Sequence, residues 1–174
     1  MNNEVLQCIK TRRSCRAYTA QQVEPEKLKA ILEAGTWAAS GMGRQAPKII
    51  VLTDPAEIAE LECMNAAVLG NPDAHPFYGA PTVCVVLTDP NVHTCVEDGA
   101  LVLGNLMLAA HSLGVASCWI HRAREEFDSP EGKTLLKKWG VDEHYIGVGH
   151  CILGYAANEV PAPKPRKKDY VIYR

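Results

Sequence analysis

The chain has 174 residues, 47% hydrophobic and 22% charged, with a formal net charge of -2. That length suits one domain with its own core, needing neither disulfides nor a structural metal. The near-neutral charge excludes a protein built to coat nucleic acid or a membrane, and the apolar content excludes a disordered chain.

The first residues, Met1 to Val5, include no basic segment leading into an unbroken apolar stretch, so no signal peptide is expected. The most apolar run, Gly99 to Ala110, contains Asn105 and is too short for a bilayer. We therefore expect a soluble, cytoplasmic protein with no membrane partner. The seven cysteines suit that compartment, being odd in number and without a CxxC pair. His93/Cys95, Cys118/His121 and His150/Cys151 match no standard zinc spacing, so no metal is expected.

In chain order, Val5 to Thr11 predicts a short helix with Val5, Leu6 and Ile9 inward. Pro25 opens a second helix with Leu28, Ile31, Leu32 and Gly35 as its stripe. Ser40 to Pro47 reads as a loop and Lys48 to Thr53 as a strand. Asp54-Pro55 is a helix start, with Ile58, Leu61 and Met64 inward. From Asn65 to Pro81, the glycines and prolines predict irregular chain. Thr82 to Thr88 is almost wholly apolar, a strand covered on both faces.

Cys95 to Leu113 is the longest predicted helix and stops before Gly114. It is apolar nearly all round, so it is central or packs on another subunit. Val115 to His121 predicts a strand, Glu125, Glu126 and Asp128 a solvated turn, Pro130 to Trp139 a short helix and Tyr145 to Gly154 a strand. The whole chain, 1–174, reads as one domain with 161–174 as an extended basic tail. Its last residues, Tyr170 to Arg174, have strand propensity and need an edge to pair with, either in this chain or in another one.

Four constellations carry chemistry. In Thr11 to Tyr18, TRRSCRAY, an extended backbone points Arg12, Ser14 and Arg16 to one side, offering guanidinium forks and a hydroxyl to a phosphate. A solvated basic turn is the alternative. The loop Ser40-Gly41-Met42-Gly43-Arg44-Gln45 matches neither a Walker loop nor GxGxxG, and by itself reads as a connector. The tail's Lys164, Arg166, Lys167 and Lys168 sit on a proline-stiffened strap, either solubilising or reaching back to a bound phosphate. Trp119, Ile120, His121 and Arg122 end a strand, where His121 is a weak candidate proton donor or simply structural. No catalytic triad motif is present.

The order of these motifs resembles the FMN-dependent nitroreductase family. The likeness begins with TRRSCRAY, continues through the Ser40-Gly41-Met42 loop and the KIIVLT strand, and then through VLGNLMLAAHSLGVASCWI, VGHCILGY and the P-K-P-R-K-K tail. It implies an α+β fold with a mixed central sheet flanked by helices, in an intertwined homodimer with FMN sites between subunits. Alternating strands and helices alone suggest α/β.

The resemblance assigns Arg12 and Ser14, with Arg13 between them, to the FMN phosphate and ribityl. It sets Arg16 beside the flavin N1/C2=O edge and assigns Lys164 and Arg166 to the phosphate. It offers Ser40, Gly41, Met42 and Gln45 from the second subunit, and lays the backbone of Ile120, His121 and Arg122 near flavin N5. Asn65 is a candidate contact to the pyrimidine edge. Gly43 stands where many members have Asn, and Ala46-Pro47 where many have Pro-Trp; the short chain implies a reduced lid and an open pocket.

The implied activity is ping-pong transfer from NAD(P)H through FMN to a nitroaromatic or quinone-type small molecule. The flavin carries the chemistry without a protein nucleophile. The alternative is an FMN store or redox sensor with little nitro reduction. Nucleic acid is not an expected partner, given the charge and the lack of interleaved aromatic residues.

Overall fold

The computed structural model describes residues 2–174. Its helices are α1 (Glu4–Thr11), α2 (Pro25–Thr36), α3 (Pro55–Leu69), α4 (Cys95–Ser112), α5 (Ala123–Asp128) and α6 (Pro130–Lys138), and its strands are β1 (Lys48–Leu52), β2 (Thr82–Thr88), β3 (Ala116–Ile120) and β4 (Ile146–Gly154). The strands form one sheet in the order β1-β2-β4-β3, making an α+β fold. The expected mixed sheet takes a specific form. Every ladder between these strands is antiparallel, and the parallel pairing is a single bridge between Ser14 and Ser117.

The central strands β2 and β4 are buried along their whole length. Their side chains alternate between two cores, which explains why a strand with no polar face is stable here. Val83, Val85 and Leu87 face Leu61, Phe77, Phe127 and Leu136 beneath α3, α5 and α6. Cys84 and Val86 face Ile31, Leu103 and Leu106 beneath α2 and α4. Cys84 lies directly across from Cys151 in the β2–β4 ladder, and all seven cysteines are free thiols.

Local signals set the helix ends. Asp54 caps α3, its carboxylate accepting from the Ala56 N–H at 2.7 Å, with Pro55 following. α4 closes where Gly114 adopts φ +73°, the Val115 N–H reaching the Ala110 carbonyl at 2.8 Å and the Gly114 N–H that of His111 at 3.1 Å.

Three expectations are corrected. α3 continues through Asn65 to Leu69 before Gly70 ends it, because Ala66, Ala67, Val68 and Leu69 sustain the helix. The segment expected as a solvated turn is α5, with Glu126 wholly buried. Val5, Leu6 and Ile9 of α1 do not turn inward but stand 68%, 37% and 52% exposed. The terminal segment 170–174 is exposed and pairs with no strand of its own chain. β1 lies at the sheet's edge, with β2 as its one partner strand among the described residues.

Candidate functional site

The sequence-predicted residues fall into three groups. In the first, the chain leaves α1 at Arg12 in an extended conformation and runs along β3. The Cys15 N–H donates to the Ser117 carbonyl at 3.0 Å, and Cys15 is itself buried. With Cys15 inward, Ser14 and Arg16 point outward, as strand alternation requires. Arg12, Arg13, Ser14 and Arg16 line one wall of a cavity of about 880 Å³. The opposite wall is the tail from Pro161 to Arg166, so Lys164 and Arg166 face the same space.

Lys10 adds a sixth cation to this lining, which contains no carboxylate. No cation of the lining has a salt-bridge partner among the described residues. Arg13 donates from Nη1 to the Lys10 carbonyl at 2.8 Å, while its buried Nε–H has no partner. Nearby, His111 Nε2 lies 2.8 Å from Thr11 Oγ1. Burial first, then the charges of Arg12 and Arg13, hold the His111 pKa below its ordinary value. A cavity with this excess of positive charge and a serine hydroxyl suits a phosphate-bearing ligand, and fits the phosphate end of FMN.

The second group is the turn after β3. Ile120 is buried, His121 is exposed, and Arg122 takes φ +81°, a left-handed conformation uncommon for a long side chain. Asn65, fully buried on α3, donates from Nδ2 to the His121 carbonyl at 2.9 Å. Its Oδ1 accepts from Arg122 Nε at 2.9 Å. Asn65 therefore gives one donor and one acceptor of its amide to the protein's own turn. Just beyond, Glu126 Oε2 lies 2.6 Å from His150 Nε2, and neither residue is exposed to solvent. The Phe77 and Phe127 rings flank His150, with centroids 5.3 and 6.5 Å away.

The third group is the loop from Ser40 to Gln45. Met42 and Gln45 have φ of +54° and +50°, and Met42 is 80% exposed. Asp98, almost fully buried on α4, accepts from the Gly41 N–H at 3.0 Å and from Thr94 Oγ1 at 3.1 Å. A Cβ at position 41 would lie 2.1 Å from Thr94 Oγ1, so only glycine fits. Ser40 Oγ accepts from the Gln45 N–H at 3.1 Å.

The structure thus brings Arg12, Arg13, Ser14, Arg16, Lys164 and Arg166 together, whereas neither the 40–45 loop nor the 120–122 turn lines their cavity. Sequence reading missed Asp98, Thr94, Glu126 and His150. The available signal for Glu126 was the helical spacing of Ala123 and Phe127, which puts Glu126 on their face. No group of metal-ligating side chains occurs among the described residues. No helix among them is long and apolar enough to cross a membrane.

Residues 9–155 match the model of the Nitroreductase family. A crystal structure of a nitroreductase with bound FMN from Bacteroides fragilis NCTC 9343 is similar with a TM-score of 0.91 and 33% identity, covering 99% of this chain and 100% of that one. A second nitroreductase with bound FMN, from Desulfitobacterium hafniense DCB-2, has a TM-score of 0.91 and 31% identity and covers 100% of both chains. A relative from Methanothermobacter thermautotrophicus, 30% identical over 95% of this chain and 82% of its own length, goes by the name NADH dehydrogenase/NAD(P)H nitroreductase.

Proposed function

Because the chain belongs to the nitroreductase family, we propose that it is an FMN-dependent NAD(P)H oxidoreductase that reduces nitroaromatic or quinone-type acceptors in a ping-pong cycle. The observation that carries this reading is the basic cavity between Arg12–Arg16 and the tail. When bound, FMN supplies the two-electron chemistry, taking hydride from the nicotinamide and passing it to the acceptor. Arg12, Arg13 and Ser14, with Lys164 and Arg166, hold the phosphate and ribityl by charge-assisted bonds. Arg16 places a fixed positive charge by the pyrimidine edge, which favours the more negative of the two redox states. The main chain of Ile120, His121 and Arg122 orients the reacting edge.

The chain works as a single domain, 1–174, in a homodimer. The exposed Val5, Ile9, Trp37 and Leu101, the unpaired edge of β1 and the apolar Val171 and Ile172 of the tail all support a second copy. In that dimer, Ser40, Gly41, Met42 and Gln45 complete the partner's site.

An absorption spectrum of the purified protein tests this reading. Flavin bands that bleach when NADH or NADPH is added without oxygen, and return with a nitroaromatic or quinone, are expected. A colourless protein that takes up no FMN would refute it, and bound FMN that neither nucleotide reduces would leave a flavin store or sensor.

A further inference from the structure

The Arg122 turn is held from two sides. Its left-handed backbone costs energy for any residue with a Cβ, so something outside the turn must maintain it. Asn65 meets that need from 57 residues away, linking the His121 carbonyl and the Arg122 side chain at 2.9 Å each. Just beyond, the Glu126–His150 contact ties α5 to β4. The amide of Asn65 is fully buried, and only one orientation gives a donor to the carbonyl and an acceptor to the guanidinium. Aspartate would keep the acceptor and lose the donor, and alanine would lose both.

We infer that Asn65 is a positioning residue for hydride transfer. It fixes the left-handed turn at His121–Arg122, and through that turn it sets where the main chain meets the reacting edge of bound FMN, without touching the cofactor itself. The inference rests on the proposed flavin reading, since it gives the 120–122 backbone its place along that edge.

The test uses the full chain loaded with FMN, comparing wild type with Asn65→Ala, Asn65→Asp and the double variant Asn65→Ala/Arg122→Gly. Glycine adopts φ near +81° without steric cost, so the double variant restores the turn without the amide. In Asn65→Ala, the limiting rate of flavin reduction in stopped flow should fall about tenfold or more, the order that small misplacements cost. FMN affinity and the NADH concentration for half-saturation should stay within about threefold of wild type, the mark of a loss confined to the reacting geometry. The double variant should recover most of the rate. Asn65→Asp should show the same split in smaller measure, and carries the test where Asn65→Ala does not fold.

An unchanged limiting rate in Asn65→Ala and Asn65→Asp, with only the melting temperature lowered, would reduce Asn65 to a packing residue and overturn the inference. A loss that Arg122→Gly does not repair would also overturn it, pointing instead to direct contact with FMN. Wild-type protein that takes up no FMN removes the flavin reading and this role together, an outcome distinct from a variant that binds FMN and keeps its rate.

Discussion

The cradle around Arg12 and the turn at Arg122 both stand at the β3 end of the sheet, yet they are built on opposite principles. In the cradle, six cations face one space with no carboxylate among them, and one wall is an exposed tail. Without a ligand, these charges repel one another and keep their hydration. At the turn, a buried amide spends both its polar ends on neighbouring residues, and a costly φ is held in place. The cradle's charges have no salt-bridge partner within the described residues, whereas the turn is held by hydrogen bonds within the protein. Affinity and geometry are thereby separated, so ligand binding need not bear the whole cost of ordering the turn.

The largest effect should come from the braced side. Glu126→Ala leaves His150 buried without its partner and should lower stability by about 2–4 kcal/mol in urea unfolding. FMN affinity of the folded variant should change little. A parallel collapse of affinity would show that the two regions are one cooperative unit and break the comparison.

Arg12→Ala should do the reverse. We expect FMN binding weaker by about 1.5–3 kcal/mol in calorimetric titration. The apo-protein should melt no earlier than wild type, since a repelling charge has gone. An apo-protein that melts distinctly earlier would mean that Arg12 supports the fold rather than awaiting a ligand.

Arg16→Gln sharpens the distinction within the cradle itself. Its charge should act on the electronics of the bound group, lowering the two-electron potential by about 30 mV, equivalent to about 1.4 kcal/mol. Arg12→Ala should leave the potential near its wild-type value. Potentiometric titration of both variants decides, and equal shifts would merge their roles.

The smallest effect comes from a place that is satisfied but exposed. His144 Nδ1 lies 2.7 Å from Asp142, and Nε2 lies 3.2 Å from Asp89. The hydrogen bond to Asp142, then the charges of Asp142 and Asp89, raise its pKa above the ordinary value. Its stabilisation is therefore complete below the unfolded value of about 6.5 and is lost as pH rises through the folded one. The melting temperature should decline slightly as pH rises above about 6.5, and the decline should vanish in His144→Gln. A slope that persists in the variant would place its origin elsewhere.

What the sequence discloses is what neighbouring residues decide. Asp54-Pro55 and Gly114 announce helix ends because the cap is made by residues next to the helix it closes. The basic lining is legible for a similar reason, since Arg12, Ser14 and Arg16 need only an extended backbone to share a side. The partners of Asn65 and Glu126 are illegible because they lie 57 and 24 residues away, and periodicity describes one element at a time. The overlooked end of α3 has another cause. Gly70, Pro72 and Pro76 follow its last turn so closely that their disorder-like signal spreads backward over residues that hold a helix. The terminal segment kept its strand-like composition without a strand, because propensity supplies no hydrogen-bond partner.

The paired thiols at the centre of the sheet bear on how such a protein ages. Burial pushes the Cys84 thiol up to about 12 and Cys151 well above its ordinary value, and Cys118 is raised by the same cause. Oxidants and alkylating agents attack the thiolate, so these sulfurs are chemically quiet at neutral pH. Under the proposed flavin reading, electrons lost from reduced flavin to dissolved oxygen would generate peroxide, and such quietness would protect the sheet. Cys63, exposed on α3, is the thiol that this damage would reach first, at a surface position where sulfenic acid formation leaves the sheet untouched.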